Sequence, residues 1–264
     1  MSRNPLPSTL VAELDLLIRS RYPLLYIVAI EEEPVEEVLA LVARATLPPR
    51  NLLYWDFARG WHDSGSDKGN AMDALGRVGR TPARDGAIFV LKGLHFLLES
   101  PLDPRHAPAI RELKNLVREL QRDRKTLIFV SHSLHIPEEL QEEVTVIDFP
   151  LPTAEEIDAL LENALAPSSL NASGLAREQL VKACQGLSRT RIQRVLAKAI
   201  AAKGGVNETD IDSILEQKKQ VIRQTGILEF FTATESLARV GGLDNLKQWV
   251  RMRRDAFTEE ARRY

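Results

Sequence analysis

The chain has 264 residues, of which 44% are hydrophobic and 27% charged, and its formal net charge is -2. This length and composition predict a soluble protein with one large domain, or with one domain and a smaller appendage. The nearly neutral charge excludes a global electrostatic attraction to nucleic acid or to an anionic membrane, so any polyanion binding needs a local patch.

Cysteine content and hydropathy indicate where the protein works. The single cysteine, Cys184, excludes an intramolecular disulfide and is compatible with a reducing compartment. No apolar run approaches the roughly 20 residues that a membrane-spanning helix needs, and the polar start at Ser2 does not look like a secretory signal. We therefore expect a protein of the cytosol or of an equivalent stroma.

Apolar runs alternate with amphipathic stretches through the first 150 residues. Helical spacing predicts helices at 10–19, 34–45 and 108–124. Short, continuous apolar runs are typical of buried parallel strands, and they lie at 24–30, 52–56, 88–91, 127–130 and 144–149. Five such runs separated by helical segments predict an α/β fold with a doubly wound parallel sheet.

The pattern becomes all-helical after Pro152. Residues 153–156 have the spacing of a capping box, and helices are predicted at 178–183, 188–203 and 207–224. Near the end, Gly241 and Gly242 allow a tight turn, after which Asp244 caps a further helix. We divide the chain into an α/β domain at 1–152, a helical lid at 153–203, a helical connector at 204–239 and the start of a second module at 240–264.

This order of elements resembles an AAA-type ATPase module. The matching stretches are 127–133 at the family's fourth strand and sensor residue, 136–140 and 146–153 on the way into the lid, 185–188 at the lid's Gly-Leu-Ser turn, and 240–243 at the start of a second module. Together they resemble the N-terminal portion of a cyanobacterial and plastid-encoded AAA-type ATPase family known as hypothetical chloroplast open reading frame. The resemblance implies an AAA/RecA-like sheet of five parallel strands sandwiched by helices, followed by a small all-helical lid.

The catalytic positions of such a module are missing. A phosphate loop has the pattern G-x-x-x-x-G-K-[ST], but the first predicted strand runs into Glu31-Glu32-Glu33-Pro34. We interpret these glutamates as favouring the N-terminus of the next helix. The third strand ends at Lys92 instead of the Walker B acids that hold Mg²⁺, and we interpret Lys92 as a solvated strand-end lysine. Serines replace the sensor asparagine, and residues 141–143 are Gln-Glu-Glu where the family often has arginine fingers.

The resemblance therefore implies a degenerate, non-catalytic module that is inactive alone. No catalytic, cofactor-binding or metal-binding residue is assigned to this chain, and ATP and Mg are expected for a second module beyond it. We expect contacts with that C-terminal AAA module, other protein partners and a possible homo-oligomer. We expect no nucleic-acid partner and no membrane span. The resemblance implies a location in the cyanobacterial cytoplasm or the chloroplast stroma.

Two alternatives remain open. The first is an unusual nucleotide site formed by Lys92 and a long, Gly-rich loop predicted at 59–79, which lies where AAA modules contact substrates or neighbours. The sequence is equally compatible with a structural role for that loop, in which its tryptophan packs against the sheet. The second is a nucleic-acid clamp formed by the cations at 111–124, although Glu112 and Glu119 interrupt them.

The histidines and the cysteine do not indicate a functional site in the sequence. His132 and His135 share a loop, but no third ligand accompanies them in the sequence. Cys184 lies on the apolar face of a predicted helix and is expected in the core.

Overall fold

The structure is a computed structural model that describes residues 7–82, 86–99, 106–164, 174–206, 210–225 and 241–254. The chain forms two compact units, Met1–Gln217 and Lys218–Tyr264. The first unit contains the sheet and the helices of the predicted lid. The proposed division at 1–152, 153–203, 204–239 and 240–264 stays a prediction.

A six-stranded sheet organises the first unit. Its strands are β1 (Leu24–Val28), β2 (Asn51–Asp56), β3 (Gly60–Trp61), β4 (Ala87–Lys92), β5 (Lys125–Ser131) and β6 (Val144–Asp148). Their order is β3-β2-β4-β5-β1-β6, in which β3 pairs antiparallel with β2 and the other pairs are parallel. The predicted five-stranded parallel sheet is confirmed, with a short sixth strand added at one edge.

Helices flank the sheet and then follow it in the chain. Those of the α/β region are α1 (Ser8–Arg19), α2 (Glu32–Ala45), α3 (Ala71–Arg80), α4 (His95–Glu99) and α5 (Ala107–Leu120). Next come α6 (Ala154–Ala164), α7 (Gly174–Cys184) and α8 (Arg189–Lys203). Helix α9 (Ile211–Thr225) crosses the boundary between the units, and α10 (Asp244–Arg254) lies in the second.

Both faces of the sheet are covered, which explains why the central strands β1, β4 and β5 are buried and mostly apolar. Phe89 and Leu91 of β4 belong to one buried cluster, together with side chains of α3 and α5. Ile88 and Val90 of the same strand belong to a second cluster, together with side chains of α1 and α2. This alternation follows from the two-residue period of a strand, and it makes a three-layer α/β sandwich.

The prediction of a loop at 59–79 is wrong for its second half, where the chain forms α3. The side chain of Asn70 accepts hydrogen bonds from the backbone N–H groups of Met72 and Asp73 and so caps α3. Trp61 is fully buried against Phe89, which confirms the alternative reading of a tryptophan packed on the sheet. Gly60 is required there, because its φ is +74° and a Cβ atom would lie 2.1 Å from the carbonyl oxygen of Ser66.

Predictions for Cys184 and for the ends of two helices can also be compared with the structure. Cys184 is buried, as expected of a small core residue. Helix α5 ends at Leu120 instead of Arg124, because the chain turns before β5. In the second unit, Asp244 is the first residue of α10 instead of the predicted cap before it, and Trp249 is 48% exposed.

Candidate functional site at the carboxyl edge of the sheet

The parallel strands end together at one edge, which we call the carboxyl edge. In the register, Val28 of β1 lies beside Ser131 of β5, and Val130 of β5 lies beside Lys92 of β4. Open α/β sheets bind ligands outside the carboxyl ends of their strands. The side chains that follow β1, β4 and β5 therefore define the place where a nucleotide site would have to form.

The connection between β1 and α2 is too short for a phosphate loop. Only Ala29, Ile30 and Glu31 separate the last residue of β1 from the first residue of α2. A phosphate loop spans eight positions and needs glycines, a lysine and a hydroxyl side chain. These three residues provide none of them, and the backbone N–H of Ala29 donates to the carbonyl oxygen of Ser131 at 2.8 Å.

Glu31 reaches across to the start of α8. One of its carboxylate oxygens accepts a hydrogen bond from the backbone N–H of Arg189 at 2.9 Å, and the other accepts one from Thr190 at 2.7 Å. The N-terminus of a helix attracts anions through its N–H groups and its dipole. Glu31 makes no side-chain cap on α2. The interpretation that the three glutamates favour the N-terminus of α2 is therefore wrong for Glu31, whose carboxylate binds α8, whereas Glu32 and Glu33 lie in the first turn of α2.

The side chain of Arg189 is held beside this contact. It is 3% exposed, and its guanidinium lies 2.5 Å from a carboxylate oxygen of Glu156 on α6. It also donates to the carbonyl oxygen of Pro150 at 3.3 Å and lies 5.5 Å from the centre of the Phe149 ring. A buried ion pair of this kind holds its position only if further hydrogen bonds satisfy the charged groups.

Lys92 is also bound within the chain. Its ammonium lies 2.8 Å from a carboxylate oxygen of Glu36 and 3.2 Å from one of Glu32, and its side chain is 12% exposed. The interpretation of a solvated strand-end lysine is therefore wrong. Burial lowers the pKa of Lys92, but the hydrogen bonds and charges of Glu36 and Glu32 outweigh burial and raise its pKa above the usual value.

These contacts reverse the charges of a nucleotide site. In a phosphate-loop enzyme, a lysine at the start of the helix faces phosphates, and acids at the end of a strand hold Mg²⁺. Here acids occupy the start of α2, and Lys92 occupies the end of β4. Strand register brings Lys92 beside Asp56, which in turn pairs with Gly60. The residues of the alternative nucleotide site are therefore neighbours, but the Lys92 ammonium is turned to Glu32 and Glu36.

Three histidines meet at another part of the carboxyl edge. The ring of His95, at the start of α4, lies 4.6 Å from that of His132 and 6.5 Å from that of His135, measured between ring centres. Burial, followed by the charges of His132 and His135, lowers the pKa of His95, while Glu99 opposes the shift. The sequence did not indicate that His95 joins the other two histidines. The pairing of β4 with β5 could have revealed it, because His95 follows β4 while His132 and His135 follow β5.

Among the residues that the structure describes, no three His, Cys, Asp or Glu side chains are grouped so that they could hold a metal ion. The histidines nevertheless contain buried ring nitrogens without a hydrogen-bond partner, at Nδ1 of His95 and at both nitrogens of His135. Burial favours the neutral form of the His95 ring.

The helix α5 carries the other set of charges singled out in the sequence. A shallow depression of about 390 Å³ is lined by Asn115 and by charged side chains of both signs, namely Glu112, Arg118, Glu119 and Arg122. Lys114 donates to the carbonyl oxygen of Glu139 at 3.0 Å. Alternating signs dilute the attraction to a phosphate backbone, so this surface does not favour the nucleic-acid clamp.

Comparison with protein families identifies the class. A family model described as the N-terminal domain of SpoVK-like AAA ATPases matches residues 10–149, and a model of their second domain matches residues 155–225. The chain therefore belongs to the SpoVK-like AAA ATPase family. This result confirms the resemblance to AAA-type ATPases that the motifs indicated.

Two relatives of this chain are named as AAA domain-containing proteins. The chain is 37% identical over 257 residues to a protein of Trieres chinensis called uncharacterized AAA domain-containing protein ycf46, and 33% identical over 258 residues to its namesake in Guillardia theta. Each alignment covers 96% of the chain and 50% of the relative. The chain thus spans about half the length of these relatives, which are encoded in plastid genomes.

Solved structures show the same fold at low sequence identity. The AAA domain of FIGL-1 superposes with a TM-score of 0.57 at 11% identity, covering 92% of this chain and 85% of that one. The structure of PCH-2 from C. elegans gives 0.52 at 10% identity, covering 83% and 71%. In the described ranges of this chain, no helix has the length and apolar character needed to cross a membrane.

Proposed function

We propose that this chain is a non-catalytic AAA-like module that positions or regulates an ATPase module of the same protein and makes protein–protein contacts. The observation that carries the proposal is the three-residue connection from β1 to α2, whose Glu31 carboxylate binds the start of α8. Family membership supports an AAA role in general. The assignment of catalysis to a different module rests on the geometry of the carboxyl edge.

Electrostatics supports the loss of nucleotide binding. A nucleotide at this edge would bring its phosphates against Glu31, Glu32 and Glu36. At an effective dielectric constant of about 20, each like-charge contact near 4 Å costs about 4 kcal/mol. A helix N-terminus returns at most about 2 kcal/mol. Lys92 offsets only one of these three carboxylate charges, so repulsion still exceeds the attraction that this site offers.

The remaining parts of the proposal follow from the family. We expect ATP and Mg to be bound by a C-terminal AAA module, and the length of the curated relatives, about twice that of this chain, supports the presence of such a module in them. That module would be the first partner of this chain, and a homo-oligomer would bring further copies together. Relatives encoded in plastid genomes support a location in the chloroplast stroma or the cyanobacterial cytoplasm.

Isothermal titration calorimetry with Mg-ATP tests the loss of nucleotide binding. We expect no saturable heat at micromolar concentrations, because Lys92 and the N–H groups of Arg189 and Thr190 are already bound to carboxylates. Micromolar affinity would contradict the proposal. The variant Lys92→Met then serves as a control: loss of that affinity in the variant would support the alternative nucleotide site at Lys92.

A further inference from the structure

We propose that Glu31 is a built-in substitute for a nucleotide phosphate, which fastens the lid to the sheet whether or not nucleotide is present. The inference rests on the proposed function, because a module that still bound nucleotide would need this position for phosphate. It goes further by assigning Glu31 a mechanical role. We call the contact between Glu31 and the start of α8 the carboxylate latch.

The backbone N–H groups from Arg189 to Ile192, at the start of α8, all have hydrogen-bond acceptors within the chain. A helix leaves its first N–H groups without partners inside the helix. Here the N–H groups of Arg189 and Thr190 donate to Glu31, and that of Arg191 donates to the side chain of Ser188 at 3.4 Å. The next N–H, of Ile192, already bonds within the helix to the carbonyl oxygen of Ser188 at 3.0 Å. None of the N–H groups from Arg189 to Ile192 is left for a phosphate.

The second evidence is that both oxygens of the carboxylate are used. Each accepts from a different N–H, at 2.9 Å and 2.7 Å, so the orientation of the carboxylate is fixed relative to α8. Charge-assisted hydrogen bonds of this kind are about twice as strong as neutral ones. Because Glu31 is 158 residues from Arg189 in the chain, the contact joins two distant segments.

The third evidence is the rigid attachment of Glu31 to the sheet. The N–H of Ala29 donates to Ser131 of β5, and the N–H of Phe149 donates to the carbonyl oxygen of Val28, both at 2.8 Å. These bonds hold the end of β1 between its two neighbouring strands. The guanidinium of Arg189 adds a second link from α8, since it reaches both Glu156 and Pro150.

A mechanical consequence follows. A phosphate that bridges a lid and a sheet leaves when the nucleotide dissociates, whereas a carboxylate on the chain cannot leave. The lid of this module should therefore keep one position through the ATP cycle of a neighbouring module. In that state it offers a constant surface to its partner, which suits a positioning role.

Hydrogen exchange measured by mass spectrometry on the whole chain tests the latch. Glu31→Ala and Glu31→Gln are compared with Glu33→Ala and Glu33→Gln, because Glu33 is exposed and lies two residues away on the same turn. We expect exchange at Arg189 and Thr190 to be about tenfold faster in Glu31→Ala, given the strength of hydrogen bonds to charged groups. Glu31→Gln should show a smaller increase, and both Glu33 variants should match the original chain.

Two results would overturn the latch. Unchanged exchange at the start of α8 in both Glu31 variants would show that the carboxylate does not hold the helix. Equal acceleration in β4 and β5 would show a general loss of stability instead of a local release. If Glu31→Ala does not fold, Glu31→Gln retains the side-chain shape and carries the same comparison.

Failure of the latch and failure of the proposed function give different results. Absence of Mg-ATP binding together with unchanged exchange would mean that the latch is wrong while the non-catalytic role stands. Micromolar Mg-ATP binding to the original chain would contradict the non-catalytic role, and with it the reason for a phosphate substitute.

Discussion

The carboxyl edge and the helix α5 contain the same kinds of charged residues in opposite settings. At the carboxyl edge, Lys92 and Arg189 are 12% and 3% exposed, and each is bound to carboxylates from another part of the chain. On α5, Arg118 and Glu119 are exposed to solvent. Exposed pairs contribute little to stability, whereas breaking a buried pair is costly because one charge is left unpaired. Position, more than charge number, therefore decides which of these residues matter.

The largest effect is expected from breaking the buried pair on α8. Arg189→Met leaves the Glu156 carboxylate buried without its partner, so we expect a loss of about 3–5 kcal/mol in the free energy of unfolding. Urea denaturation followed by circular dichroism measures this loss. The control Arg118→Met, on the exposed face of α5, should change stability by about 0.5 kcal/mol or less. Equal losses in the two variants would contradict the comparison.

A smaller loss is expected at Lys92. Lys92→Met removes the partner of Glu36 and Glu32, but both carboxylates keep access to water, so we expect a loss of about 1–2 kcal/mol. The matched variant Lys114→Met removes a lysine that donates to one carbonyl on the surface and should cost less. Denaturant titration of both variants checks the difference. A larger loss in Lys114→Met would show that the Lys92 contacts are not the stronger set.

The histidines predict a still smaller, pH-dependent effect. Because the pKa of His95 is lower in the folded protein than its usual value near 6.5, protonation favours the unfolded chain. Its contribution to stability is therefore complete above about pH 6.5 and is lost as the pH falls through the folded pKa. We expect the original chain to lose more stability than His95→Gln between pH 7 and 5, measured by thermal unfolding. Parallel pH profiles would contradict this.

The smallest effect is expected on α5. Arg118→Glu should change the free energy of unfolding by no more than about 0.5 kcal/mol, because the side chain is exposed among charges of both signs. The same surface should bind neither DNA nor RNA with a steep dependence on salt. Tight, steeply salt-dependent binding that Arg118→Glu weakens would instead support a nucleic-acid clamp.

The strands could be predicted from the sequence because of their burial. The runs of β1, β4 and β5 are continuously apolar, since helices cover both faces of the sheet there, whereas the runs at 52–56 and 144–149 each contain an aspartate. The short strand β3 and helix α3 were missed because glycines at 60, 65, 69, 76 and 79 indicate a loop. Asn70 as a cap, with Ala71, Leu75 and Val78 at helical spacing, was the signal that could have revealed α3.

The lack of a G-x-x-x-x-G-K-[ST] pattern after β1 is visible in the sequence, but the contacts of the residues found there could not be predicted. Glu31 is next to α2 in sequence, and local rules assign its charge to that helix. Its actual partners lie 158 and 159 residues away, and only the tertiary fold brings the start of α8 beside Glu31. Lys92 was misread for the same reason, since strand order and helix position decide that Glu32 and Glu36 face it.

The central claim is that the chain's own carboxylates occupy the place of a nucleotide. Hydrogen exchange at the start of α8, measured in the original chain with and without saturating Mg-ATP, tests it most directly. We predict that Arg189 and Thr190 are equally protected in both conditions, because the Glu31 carboxylate already holds their N–H groups. A change in their protection that saturates with Mg-ATP concentration would contradict the account.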